Sequence, residues 1–237
     1  MFKYYYGMES ITANKPLSNL PKARIIAGIV IALVFPLVMA ALLRASHLSY
    51  WNKVYGSRLI FWVEVGLLWL YARKVEKQNL LIWPKKSDGL EFLLSSVVIL
   101  YLLALAAQLI AAIPALLGYH ENSTLMKLIA ATVKGRPALI VFISFTAGFC
   151  EEVIFRGYVL TRLSQLCKNK NIPVLISSLM FAALHYRYHS LREFIFPFLI
   201  GIIMSVHYQR FGNIRPLIIV HFIIDFIGLT LASHYLK

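Results

Sequence analysis

Between Glu151 and Asp225 the chain sets ionisable side chains into stretches that are otherwise apolar: Glu151-Glu152-x-x-x-Arg156, then His185, then His221-x-x-x-Asp225. Carboxylates and imidazoles are the groups of general acid–base and hydrolytic chemistry. Hydrocarbon offers them no water, so each is costly unless it pairs or faces a wet cavity. Their concentration in about 75 residues marks this stretch as the place to seek function.

The spacings suggest roles. Glu152 and Arg156 are four apart, so on a helix they share a face and pair, which offsets burial and fixes one carboxylate. Glu151 lies about 100° around the helix and is left to face a cavity as a general base. A helix-end salt bridge at the headgroups is the structural alternative. His185 closes the apolar run that begins at Ile176, with Phe181 one turn before it. A histidine in such a place also suits a membrane interface, and Tyr186-Arg187-Tyr188-His189 after it resembles a helix end at water. His221 and Asp225 are one turn apart. The carboxylate can orient the imidazole, hold a water or help bind a metal; a polar pair joining two helices fits as well. Arg215 is ten residues from Asp225, so His221 is first in line as its partner. Along their helix, His221 and Asp225 lie about 9 and 15 Å from Arg215, and His185 lies about 18 Å from Pro173. The groups can therefore meet within a bilayer.

The elements that must position them are membrane helices. Of 237 residues, 59% are hydrophobic and 14% charged, where a soluble domain carries about a quarter charged. Ile25–Leu43 is long enough to span, and Phe92–Leu117 is broken only by Gln108 and Pro114. Further apolar segments are Leu59–Tyr71, Pro137–Cys150, Ile172–Leu184, Phe194–Val206 and Pro216–Ala232. The fold expected is an all-α polytopic membrane bundle of about seven helices, with a range of six to eight. Residues 1–24 form a polar and aromatic N-terminal segment, 25–136 the first helices, 137–232 the helical core with the ionisable cluster, and 233–237 a tail. No cleavable signal, lipidation motif or internal repeat is expected. The start, Phe2-Lys3-Tyr4-Tyr5-Tyr6, suits the headgroup region. Gly118–Arg136 suits a short amphipathic interface helix with Leu125, Leu128 and Ile129 on one face.

The net charge of +14 fits either an acidic partner or the enrichment of Lys and Arg in cytoplasmic segments. Across seven spans, fifteen of the 24 cations fall on the side of the N-terminus. This predicts a cytoplasmic N-terminus in the cell membrane and accounts for the charge without nucleic acid. Cys150 and Cys167 make no disulfide framework. Cys150, beside Glu151, is either a nucleophile or core packing. Glu64 is a further ionisable residue in an apolar run, a structural partner or part of a substrate path. His47, His120, His189, His207 and His234 lie near helix ends or loops.

Taken together, Glu151-Glu152-Val153-Ile154-Phe155-Arg156, Phe181-Ala182-Ala183-Leu184-His185 and His221-Phe222-Ile223-Ile224-Asp225 resemble the three-part pattern of the CPBP intramembrane proteases. That family takes in the CAAX prenyl endopeptidases and the bacterial Abi-type, bacteriocin-processing proteins. Gly157 and Leu160 after the first motif and Ser177-Ser178 before the second also match, so the resemblance covers residues 137–230. It implies an endopeptidase that cleaves membrane-anchored peptides or proteins within the bilayer. Glu151 would activate the water and His185 would help hold it. His221 and residue 225 would stabilise the oxyanion, and Glu152 and Arg156 would position the first helix. The CAAX endopeptidases have Asn at the last position. An ionised Asp225 accepts hydrogen bonds and cannot donate to an oxyanion, so it is expected to orient His221, which donates. Although the family is often labelled metalloprotease, a metal-free glutamate mechanism is expected. Were zinc present, Glu151, His185, His221 and Asp225 would be its ligands. Two other classes fit the same residues: a non-catalytic scaffold or immunity protein, and a small proton-coupled transporter.

Overall fold

The computed structural model describes residues 21–119 and 124–235. The aromatic start, nearly all of the N-terminal segment, His120 and the last two residues lie outside them. The described elements are helical: α1 (Lys22–Ala45), α2 (Tyr50–Tyr71), α3 (Leu90–Leu116), α4 (Thr124–Val133), α5 (Pro137–Glu152), α6 (Thr161–Leu166), α7 (Asn171–Leu184), α8 (Arg192–Phe211) and α9 (Arg215–Tyr235). A π-helical stretch, Val153–Leu160, joins α5 to α6, so Pro137–Leu166 runs without a break.

Each of the seven apolar segments lies in a helix. Five helices are long and apolar enough to cross a membrane unaided: α1, α3, Pro137–Leu166, α8 and α9. The other two differ for visible reasons. Helix α2 carries Lys53, Arg58 and Glu64 among its 22 residues. Helix α7 has 14 residues, about 21 Å against a hydrocarbon core of about 30 Å. The amphipathic helix expected before Arg136 is α4, although its buried residues are Ala130 and Val133 while Leu128 is exposed.

The helix bearing Glu151 is the central one. In Pro137–Leu166, 61% of the most apolar window is buried, against 22–33% in the other four spans. Pro137 opens it with the fixed φ of a first-turn proline. Helix α2 packs on one side, where the Trp62 indole donates to Thr146 Oγ1 (3.2 Å) and stacks on Phe149. On the other side α9 crosses at Gly148. A Cβ there would lie 2.9 Å from Phe222 N and 3.1 Å from Ile218 O, so only glycine lets the two backbones come this close.

Two further devices set the remaining helices. Helix α8 packs on α7 through Gly201, whose missing Cβ leaves room for Ser178. Gly212, at φ +64°, ends α8 in the left-handed conformation, with its amide bonded to Tyr208 O. Asn213 Oδ1 then accepts from Arg215 N (3.1 Å) and starts α9. The loop before α3 docks on this turn through Lys86 N to Phe211 O (2.9 Å) and Asn213 Nδ2 to Ser87 O (3.0 Å).

Arg156 and Arg162 are inside the bundle rather than in a loop, a correction to their place in the loop-charge sum. Arg162, 0% exposed, donates from Nε (3.1 Å) and Nη2 (2.8 Å) to Glu76 Oε2, while Tyr158 Oη donates to Glu76 Oε1 (2.7 Å). Gly157 lies against Leu81, so the π-helical stretch is clamped to residues 76–81.

Candidate active site

The ionisable residues singled out in the sequence come together around one carboxylate. Glu152 is 0% exposed, and its Oε1 accepts from Arg156 Nη1 at 2.9 Å and from His221 Nδ1 at 2.7 Å. Arg156, also buried, lies over Phe181, with Cζ 4.5 Å from the ring centroid. The Phe181 ring also meets His185 edge-on at 5.0 Å and His221 at 6.3 Å. One phenylalanine thus spaces both histidines and covers the arginine. The expected Glu152–Arg156 pair is present on one face. What the sequence did not give is its second partner, because the Glu152–His221 bond spans 69 residues and depends on the approach of helices at Gly148.

Glu151 points the other way, into a cavity of 1010 Å³ that Glu152, His185, His221 and Asp225 also line. Its Oε2 lies 3.8 Å from His221 Nε2, and Asp225 Oδ2 lies 3.7 Å from the same nitrogen. Both separations exceed a hydrogen bond. The expected partner of His221 therefore changes: Glu152, on another helix, orients the imidazole through Nδ1, and Asp225 flanks its open edge. A carboxylate at i+4 was the natural choice from spacing, but the α9 backbone holds Asp225 on the cavity side. His185 sits at the end of α7, where its Nδ1 faces Phe181 O at 3.0 Å. If that nitrogen carries the proton, Nε2 is an acceptor.

Glu193, in the first turn of α8, also lines the cavity and is close enough to His185 to interact electrostatically. The sequence reading missed it. The only available signal was its position just before the apolar run that begins at Phe194. Glu64 is 1% exposed, buried in the bundle within electrostatic range of Glu151, and neither oxygen has a hydrogen-bond partner among the described residues. Cys150 is 0% exposed and faces the core, as a packing residue does. His47, His189 and His234 are exposed, and His207 is packed against Phe92 and Phe211.

Among the described residues no three His, Cys, Asp or Glu side chains are grouped so that they can hold an ion. Of the four conceivable zinc ligands, His221 has Nδ1 bonded to Glu152 and presents Nε2 to Glu151 and Asp225.

Residues 134–227 match the family model described as type II CAAX prenyl endopeptidase Rce1-like. The match takes in Glu151, Glu152, Arg156, His185, His221 and Asp225, in agreement with the resemblance carried by the three motifs. Over 87 residues the chain is 36% identical to the "Uncharacterized protein YpbD" of Bacillus subtilis (strain 168), which covers 36% of this chain and 41% of that protein. The chain thus spans about two fifths of the length of the curated relative it matches. No solved structure matches it. The protein is a multi-pass helical membrane protein with a segment similar to a membrane protease family.

Proposed function

We propose that this protein is an intramembrane endopeptidase that hydrolyses peptide bonds of membrane-anchored substrates, the prenylated peptides named by the matching family among them. One observation carries the proposal: a buried carboxylate, Glu152, fixes His221 at the wall of a cavity that Glu151 and His185 also face. In this scheme Glu151 takes the proton of the attacking water as general base. His185, with Nδ1 directed to Phe181 O, presents Nε2 to accept from that water. His221 gives Nδ1–H to Glu152, so only its imidazolium has a second N–H to donate. Glu151 and Asp225 at 3.8 and 3.7 Å from Nε2 balance that charge. The imidazolium then donates to the oxyanion formed at the scissile carbonyl, and as that carbonyl re-forms and the C–N bond breaks, Glu151 passes the water's proton to the leaving amine. Glu152 and Arg156 touch no substrate and act by positioning. No step uses a metal. The Lys and Arg on its side, still in excess without the buried Arg156 and Arg162, support a cytoplasmic N-terminus.

A thiol mechanism is the chemical competitor, since Cys150 adjoins Glu151. Cleavage of an S-farnesyl-cysteine peptide by the purified protein in liposomes separates the two. With the thiol in the core, Cys150→Ala retains the wild-type rate within about threefold, while loss on the order of 10³-fold would assign catalysis to the thiol.

A further inference from the structure

One face of α2 forms a wall of the cavity: Tyr50, Lys53, Val54, Ser57 and Arg58, at the i, i+3, i+4, i+7, i+8 spacing of a single helical stripe. A stripe turned to lipid or to a packed core carries apolar residues, yet this one carries two cations. Lys53 is engaged, since its Nζ donates to Arg44 O at the end of α1 (3.0 Å). Arg58 is not matched in the same way. It is half-buried, donates from Nε to Ser57 Oγ (3.3 Å) and has Cζ 5.4 Å from the Phe61 ring centroid. Among the described residues it makes no ion pair. Glu151 and Asp225 nevertheless lie within its electrostatic range and line the same cavity.

A half-buried guanidinium with no carboxylate of its own is costly in a membrane protein and marks a ligand path. Its planar fork of donors matches a carboxylate in two parallel hydrogen bonds. We propose that Arg58 is an anion subsite on the α2 wall that binds a carboxylate of the substrate and so sets which peptide bond lies over Glu151. The proposal rests on the endopeptidase assignment of the same cavity. The carboxylate is either the substrate's C-terminus or an acidic side chain near the cleaved bond.

Binding to the full-length Glu151→Gln protein in nanodiscs tests this without turnover. The probe is a fluorescent S-farnesyl-cysteine peptide made in four forms: free acid or amide at the C-terminus, each with Glu or Gln at one internal position. A charge-assisted pair predicts about tenfold tighter binding of the form that carries the recognised carboxylate. The acid–amide comparison or the Glu–Gln comparison, whichever shows the preference, identifies the source. Arg58→Gln removes that preference, and Arg58→Lys keeps part of it, which guards against a misfolded variant. Equal binding of all four forms, as when a lipid phosphate occupies Arg58, overturns the proposal; so does a preference that survives Arg58→Gln. Failure of the endopeptidase assignment shows separately, as bound peptide that the wild-type protein leaves intact.

Discussion

Gly148→Ala is the substitution whose effect follows most closely from the geometry. The added Cβ would sit 2.9 Å from Phe222 N, 3.1 Å from Ile218 O and 3.2 Å from Phe222 Cα, where ordinary contact begins at 3.4 Å. All three are backbone atoms, so no rotamer change relieves the clash, and α9 must move away from α5 by about 0.5 Å or more. His221 Nδ1 is 2.7 Å from Glu152 Oε1. A shift of about 0.5–1 Å takes that bond to the edge of hydrogen-bonding range. A displacement of about 1 Å in a catalytic group costs on the order of 10²-fold in rate. The expectation is a fall of about 30–100-fold in kcat, with a modestly lowered Tm, because overpacking costs about 1–3 kcal/mol and helix propensity returns about 1 kcal/mol of it. Cleavage of a farnesylated peptide in liposomes measures the first and thermal unfolding in detergent the second. Gly66→Ala is the control, since a Cβ there meets nothing within 4 Å. Wild-type activity in Gly148→Ala, or equal losses in both variants, would refute the role given to the helix crossing.

The remaining predictions separate positioning, charge and stability. Glu152→Gln leaves the fully buried Arg156 without a counter-charge, which costs about 3–5 kcal/mol of stability, and lowers kcat more than it raises KM; unfolding and steady-state cleavage check the two parts. Asp225→Asn lowers activity by no more than about tenfold, because Glu152 rather than Asp225 occupies Nδ1 and Glu151 still balances the imidazolium at 3.8 Å from Nε2. A loss beyond about 100-fold in that assay would show that the charge takes part. Glu76→Ala strands the buried Arg162 and costs about 3–5 kcal/mol, seen as a lower Tm, while KM of the folded protein is unchanged.

The sequence disclosed most of the cast and less of the staging. Glu152 and Arg156, and Phe181 and His185, share faces because i and i+4 positions coincide on any helix, so those pairs were legible. The apolar runs likewise located every helix that carries them. The Glu152–His221 bond was not legible, because it depends on two helices meeting at Gly148, and a lone glycine in an apolar run gives no sign of its neighbour. Nor was the π-helical stretch from Val153 to Leu160, since no residue type demands that winding. The clamp of Arg162 on Glu76 was hidden for a different reason. Both residues resemble loop charges in the sequence, and only the fold buries them together.

The central claim is most directly tested by comparing the purified wild-type protein with Glu151→Gln and His185→Ala for cleavage of a farnesylated peptide in liposomes. The account predicts cleavage by wild type, a loss of about 10²–10⁴-fold in each variant, and unfolding curves that overlay. Cleavage that survives both substitutions would contradict it.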